Sequence, residues 1–147
     1  MLSEEPVEIQ LNTLEMFHIM QMENIHMAKT VLVVDDSAAI RQSVSFILEQ
    51  ADYDVIQAND GMDALSKLDG TPINLVITDV NMPNLDGIGL TAKVRENPAY
   101  KFVPIVVLTT ESQSSKMDAG KAAGATGWIV KPFDAEKLLA VVKKLIG

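Results

Sequence analysis

From residue 29 onward the chain alternates two hydrophobic patterns: short continuous apolar runs, and longer stretches whose apolar residues recur every three or four positions. A run that is apolar at every position suits a strand covered on both faces, whereas the longer period lays one stripe of a helix on a core. The alternation predicts an α/β domain, a parallel sheet with helices on both faces.

The first strand is expected over Thr30–Val34, followed by a helix capped by Ser37 and running to about Ala51, with Ile40, Val44, Ile47 and Leu48 facing inward. A weaker second strand covers residues 54–57. Asn59 or Asp60 then opens a short helix with apolar positions Met62, Ala64, Leu65 and Leu68, closed by Gly70 and Pro72. Strand three is expected over 74–78. After the loop 81–85, Asp86 caps a helix through Ile88, Leu90 and Val94 to about Glu96, and Pro98 stops it. Strand four spans 104–108, a helix over about 114–123 ends at Gly124, strand five spans 127–130, and Asp134 caps a last helix reaching Ile146. Five strands and five helices alternate, without internal repeats or low-complexity tracts.

Four of the five strands end on polar chemistry. Val31-Leu32-Val33-Val34 runs into Asp35-Asp36, Leu75-Val76-Ile77-Thr78 into Asp79, Ile105-Val106-Val107-Leu108 into Thr109-Thr110, and Trp128-Ile129-Val130 into Lys131. In a parallel sheet those ends share one edge, where open α/β sheets bind ligands. Strand two ends on Gln57-Ala58-Asn59 and brings no such group, as befits the edge strand of the order 2-1-3-4-5.

Each residue also has a plain reading. An Asp pair after a strand is most often a turn plus a helix N-cap, Asp79 passes for a loop residue, Thr109-Thr110 for a hydroxyl pair, and Lys131 for a solvated lysine. Taken jointly, those readings would have to coincide four times. The chemistry that uses the set is phosphoryl transfer to a carboxylate. Clustered acids repel, Mg²⁺ relieves the repulsion and neutralises phosphoryl oxygens, and an Asp oxygen serves as nucleophile to form an acyl phosphate. Lys131 would balance a second phosphoryl oxygen and Thr109 would donate to a third.

Composition narrows the alternatives. At 147 residues the chain suits one domain with a full core. The lack of cysteine removes disulfide, thiolate and Cys-zinc chemistry and makes a cytoplasmic location the default expectation. No segment approaches the ~18 apolar residues of a spanning helix. The net charge is −8, and residues 1–26 hold Glu4, Glu5, Glu8, Glu15 and Glu23 without Lys or Arg, so the rest carries −3. Without a basic stripe, nucleic acid is not an expected partner. His18 and His26 both precede residue 27, which leaves the body without imidazole for a triad or a His metal site.

The ordered set itself, Asp35-Asp36, then Asp79 in Thr-Asp-Val-Asn-Met-Pro-Asn-Leu-Asp-Gly, Thr109 thirty residues on and Lys131-Pro132 twenty-two further, resembles two-component response regulator receiver domains. The resemblance covers residues 29–147, about four fifths of the chain, and within the family is most similar to the single-domain chemotaxis regulators of the CheY type. It implies a flavodoxin-like fold with Asp79 as phosphoacceptor. It also implies Mg²⁺, with Mn²⁺ as a substitute, held by Asp36, Asp79 and the backbone carbonyl of Asn81, with Asp35 acting through water. Lys131 would pair with the acceptor and then the phosphoryl group, Thr109 would be the switch hydroxyl, and the Lys131–Pro132 bond would be cis. Trp128 stands where chemotaxis regulators often carry a switch Tyr; a Trp filling the gap beside its neighbouring helix explains it equally well.

The same resemblance names a histidine kinase as phosphodonor and a protein target, such as a flagellar motor switch or a phosphotransfer protein. The output face would be formed by the fourth helix, fifth strand and fifth helix, including Glu111, Lys121, Trp128 and Lys137. Asn81 and Glu111 sit where family members adjust dephosphorylation. A phosphorelay intermediate is the alternative. A hydrolase of the haloacid dehalogenase type is disfavoured because such enzymes want a second Asp two residues after the nucleophile, where this chain has Asn81. Residues 27–147 are therefore read as the receiver and residues 1–26 as an extension, either appended by cloning or translated from an upstream start. Its Leu11, Leu14, Phe17, Ile19, Met20, Met22 and Ile25 could form an amphipathic helix after Pro6 and mediate self-association.

Overall fold

A computed structural model describes residues 13–18, 28–110 and 115–147. Five parallel strands, β1 (Thr30–Val34), β2 (Asp54–Ala58), β3 (Leu75–Asp79), β4 (Ile105–Thr110) and β5 (Gly127–Lys131), lie in the order β2-β1-β3-β4-β5. They alternate with α1 (Ala38–Gln50), α2 (Gly61–Lys67), α3 (Gly87–Glu96), α4 (Lys116–Ala123) and α5 (Ala135–Ile146). Residues 13–18 form a separate helical segment whose side chains, Leu14 and Phe17 among them, are exposed; the remainder of the expected amphipathic stretch lies outside the described residues.

The two faces of the sheet are divided by the strand period. Val31 and Val33 of β1, with Leu75, Ile77, Val106, Leu108 and Ile129, join Val44 and Leu48 of α1 and Leu138 and Val142 of α5 in one core. Leu32 and Val34, with Val76 and Ile105, join Ala64 of α2 and Leu90 and Val94 of α3 in the other. Residues 31–34 are all at most 1% exposed, which is why β1 lies inside the sheet and reads as an uninterrupted apolar run. Burying each such side chain contributes roughly 1.5–3 kcal/mol before entropy is charged against it.

The caps are where residue chemistry placed them. Ser37, Asp60, Asp86 and Asp134 each accept a backbone N–H from the first turn of α1, α2, α3 and α5. Gly124 closes α4 at φ 105°, a left-handed conformation that glycine adopts without a Cβ penalty. Two expectations change. Met62 is 55% exposed instead of lining the core, since Ala64 takes the buried turn of α2. The strands also include their polar ends: Asp79 is paired with Leu108, and Thr110 with Lys131, so ladder bonds extend past the apolar run.

Candidate functional site

Because all five strands run in one direction, their carboxyl ends form one edge, and the register fixes which side chains meet there. Val34 lies level with Thr78, so Asp35 and Asp79 follow side by side on the central pair β1–β3. One oxygen each from Asp35, Asp36 and Asp79 falls within a common span of 4.8 Å. Lys131, arriving from β5, places Nζ 3.0 Å from Asp79 Oδ1 and 3.6 Å from Asp35 Oδ2. The Lys131–Pro132 peptide bond is cis.

The acids differ in environment. Asp35 is buried, Asp79 half-buried and Asp36 exposed. Burial pushes the Asp35 carboxyl above the ordinary carboxylate value, against the lowering effect of the Ser37 N–H that it accepts; neighbouring Asp79 adds to the rise and Lys131 opposes it. Asp35 Oδ2 is buried without a hydrogen-bond partner among the described residues, Lys131 being near enough for charge attraction but not for a hydrogen bond. A buried carboxylate oxygen with open lone pairs, beside two more carboxylates, is a donor set suited to a hard divalent cation. The residues present fit a metal of that kind.

The loop after Asp79 is tied to the neighbouring helix α2. Asp60, the α2 cap, accepts Asn84 Nδ2 at 2.7 Å through its second oxygen, and Gly61 N donates to Leu85 O at 3.1 Å. Asn84 holds φ 70°, a left-handed state that Asn tolerates better than most residues. At Gly87 an added Cβ would sit 2.0 Å from the Asp79 carbonyl oxygen, so only glycine lets α3 begin this close to β3. Asn81 is exposed, and its Oδ1 accepts Lys116 Nζ from the start of α4 at 2.8 Å.

Thr109 is buried at the end of β4, and its hydroxyl donates to Thr110 O at 3.1 Å. Trp128 is half-buried on β5 opposite Val107, and the outer edge of its indole lies against Gly120 of α4. Lys121 and Lys137 are exposed, whereas Glu111 lies outside the described residues.

The structure thus brings Asp35, Asp36, Asp79 and Lys131 together, with Asn81 and Thr109 at the ends of the adjoining segments. Sequence reasoning did not single out Arg41, Lys116 or the Asp60–Asn84 pair. Asn84 carried a faint turn signal as an Asn in a Pro-containing loop. Arg41 and Lys116 carried none, because a lone cation on a helix says nothing about what it reaches.

Residues 31–143 match the model of the response regulator receiver domain. Protein PilG of Pseudomonas aeruginosa is 36% identical over 113 residues, covering 77% of this chain and 84% of PilG. The CAI-1 autoinducer sensor kinase/phosphatase CqsS of Vibrio cholerae is 37% identical over 112 residues, which is 76% of this chain but only 16% of CqsS. Among solved structures, the chemotaxis protein CheY4 of Vibrio cholerae superposes with a TM-score of 0.77 at 47% identity, covering 80% of this chain and 98% of that one. With residues 31–143 matched by the family model and PilG 36% identical over most of both chains, the chain belongs to the response regulator receiver domain family.

Proposed function

We propose that this receiver takes a phosphoryl group from a histidine kinase onto Asp79, and that the acyl phosphate switches its affinity for a protein partner in a chemotaxis-type pathway. The observation that carries the reading is the Asp79 carboxylate itself, with Lys131 at 3.0 Å and two further acids within a 4.8 Å span. Similarity to the chemotaxis protein CheY4 supports the chemotaxis assignment.

Asp35, Asp36, Asp79 and the Asn81 carbonyl would hold Mg²⁺, which when bound neutralises charge on the phosphoryl oxygens. An Asp79 oxygen attacks phosphorus in line, the O–P bond forms as the P–N bond to the donor imidazole breaks, and the ring nitrogen keeps the electron pair. Lys131, already on Asp79 Oδ1, transfers its attraction to a phosphoryl oxygen as the carboxylate loses its charge in the mixed anhydride. The Thr109 hydroxyl turns from the Thr110 carbonyl toward another phosphoryl oxygen, and Trp128 on the adjacent strand responds. Hydrolysis of the acyl phosphate resets the switch. Catalysis is confined to the chain's own phosphorylation and dephosphorylation.

The test is incubation with acetyl phosphate and Mg²⁺, read by intact mass. Wild type gains one phosphate, whereas Asp79→Asn, which keeps the volume but removes the anionic nucleophile, gains none. Equal labelling of both proteins would overturn the assignment of Asp79. A phosphorelay intermediate is the second reading, for a receiver of this kind also matches part of the sensor kinase/phosphatase CqsS. Phosphotransfer measured in both directions with a histidine phosphotransfer protein separates the two, because only a relay carrier passes its phosphate onward.

A further inference from the structure

We infer that Arg41 of α1 is a positioning residue for the divalent cation: it clamps the peptide between Asp35 and Asp36 and so sets the spacing of the acids. The inference rests on the metal site proposed above and adds a residue that touches neither the cation nor the phosphoryl group.

Three bonds already constrain Asp35. Its N–H donates to Ala58 O of β2 at 3.2 Å, its Oδ1 accepts Ser37 N at 2.9 Å, and its carbonyl accepts Arg41 Nη1 at 2.7 Å. Oδ2 is left over, the buried oxygen without a hydrogen-bond partner among the described residues. The carbonyl held by Arg41 belongs to the peptide plane that leads into Asp36, so the same bond orients both acids. Arg41 is itself oriented from the edge strand, since its Nε donates to Gln57 Oε1 at 3.1 Å. The planar guanidinium reaches both acceptors from one fixed fork, which a lysine ammonium, a single point charge, does not reproduce. This assigns a use to the end of β2, which supplies no ligand of its own.

Charge and geometry make opposite predictions, and that makes the role testable. As a cation near an acidic cluster, Arg41 repels Mg²⁺, so by Coulomb attraction alone Arg41→Gln should bind the metal more tightly. As a clamp, its loss frees the Asp35–Asp36 peptide and weakens binding. Partners behind metal ligands commonly change affinity by about 10- to 100-fold, and a site open to water at Asp36, where Mg²⁺ would keep part of its hydration, belongs near the lower figure.

Calorimetric Mg²⁺ titrations of the full chain should therefore show Arg41→Gln and Arg41→Lys both weakened about tenfold, the second despite its retained charge. Gln57→Leu, which leaves Arg41 in place, should weaken binding less and in the same direction. Tighter binding by Arg41→Gln, or unchanged binding by Arg41→Lys with thermal melts matching wild type, would overturn the clamp. Should either Arg41 variant melt early, Gln57→Leu decides: unchanged affinity there overturns the proposal. Wild type and Asp36→Ala guard the underlying reading. A wild-type chain without saturable Mg²⁺ binding would remove the metal site and this inference with it, whereas normal wild-type binding, weakened in Asp36→Ala but not in the Arg41 variants, would remove the inference alone.

Discussion

Substituting Gly120 with alanine separates two effects of opposite sign. Gly120 lies in the interior of α4, where glycine is less favourable than alanine by about 1 kcal/mol, so an unhindered Gly120→Ala would stabilise the protein by that amount. It is hindered: an added Cβ would lie 2.8 Å from Cη2 and 2.9 Å from Cζ3 of Trp128. Ordinary carbon contacts lie near ~3.5–4.0 Å, and overpacking of this kind costs about 1–3 kcal/mol. The expected net is a destabilisation between about 0 and 2 kcal/mol in wild type, turning to a gain of about 1 kcal/mol in a Trp128→Ala background where the ring is gone. Urea melts of wild type, both single variants and the double variant, followed by far-UV circular dichroism without metal, read the coupling directly. If Gly120→Ala stabilises wild type as much as it stabilises Trp128→Ala, the indole is not seated on α4. Under the proposed switch role of Trp128 the same contact would couple any turn of the ring to α4, against which it packs. Gly120→Ala should therefore also shift the resting Trp128 emission.

Three further outcomes are expected. In metal-free protein the raised Asp35 pKa means that the group's contribution to stability is fully present below the ordinary carboxyl value and is lost as pH rises through its raised one, so Asp35→Asn should flatten the fall in stability on the alkaline side of the ordinary carboxyl value; an unchanged slope in thermal melts would contradict this. Beryllofluoride with Mg²⁺ should alter Trp128 fluorescence in wild type and much less in Thr109→Ala, while no response in wild type would leave Trp128 as packing alone. Deleting residues 1–26 should leave Mg²⁺ affinity and acetyl phosphate labelling of Asp79 nearly unchanged, since every proposed site residue lies later in the chain; loss of labelling would place part of the extension inside the receiver.

The element order, the caps and the edge carrying the site were legible along the chain, because each depends on a local property: strand runs on β-branched apolar content, caps on a short side-chain oxygen, and the common edge on parallel strands ending in polar residues. The order of residues accordingly singled out Asp35-Asp36, Asp79, Thr109 and Lys131, of which the fold gathers Asp35, Asp36, Asp79 and Lys131. Strand ends were read one or two residues short at Asp79, Thr110 and Lys131, since apolar content stops before ladder pairing does. What no local rule could supply were relations between distant segments. The unpartnered oxygen of Asp35 follows from burial by the whole fold, Arg41 meets Gln57 across 16 residues because α1 folds back beside β2, and Asn84 meets Asp60 across 24 residues of chain. Nothing in the residue pattern marks Gly120, and only packing sets the Trp128 ring against it. Periodicity reports which face a residue shares; only three-dimensional packing decides which atoms stand within a hydrogen bond, or a van der Waals radius, of one another.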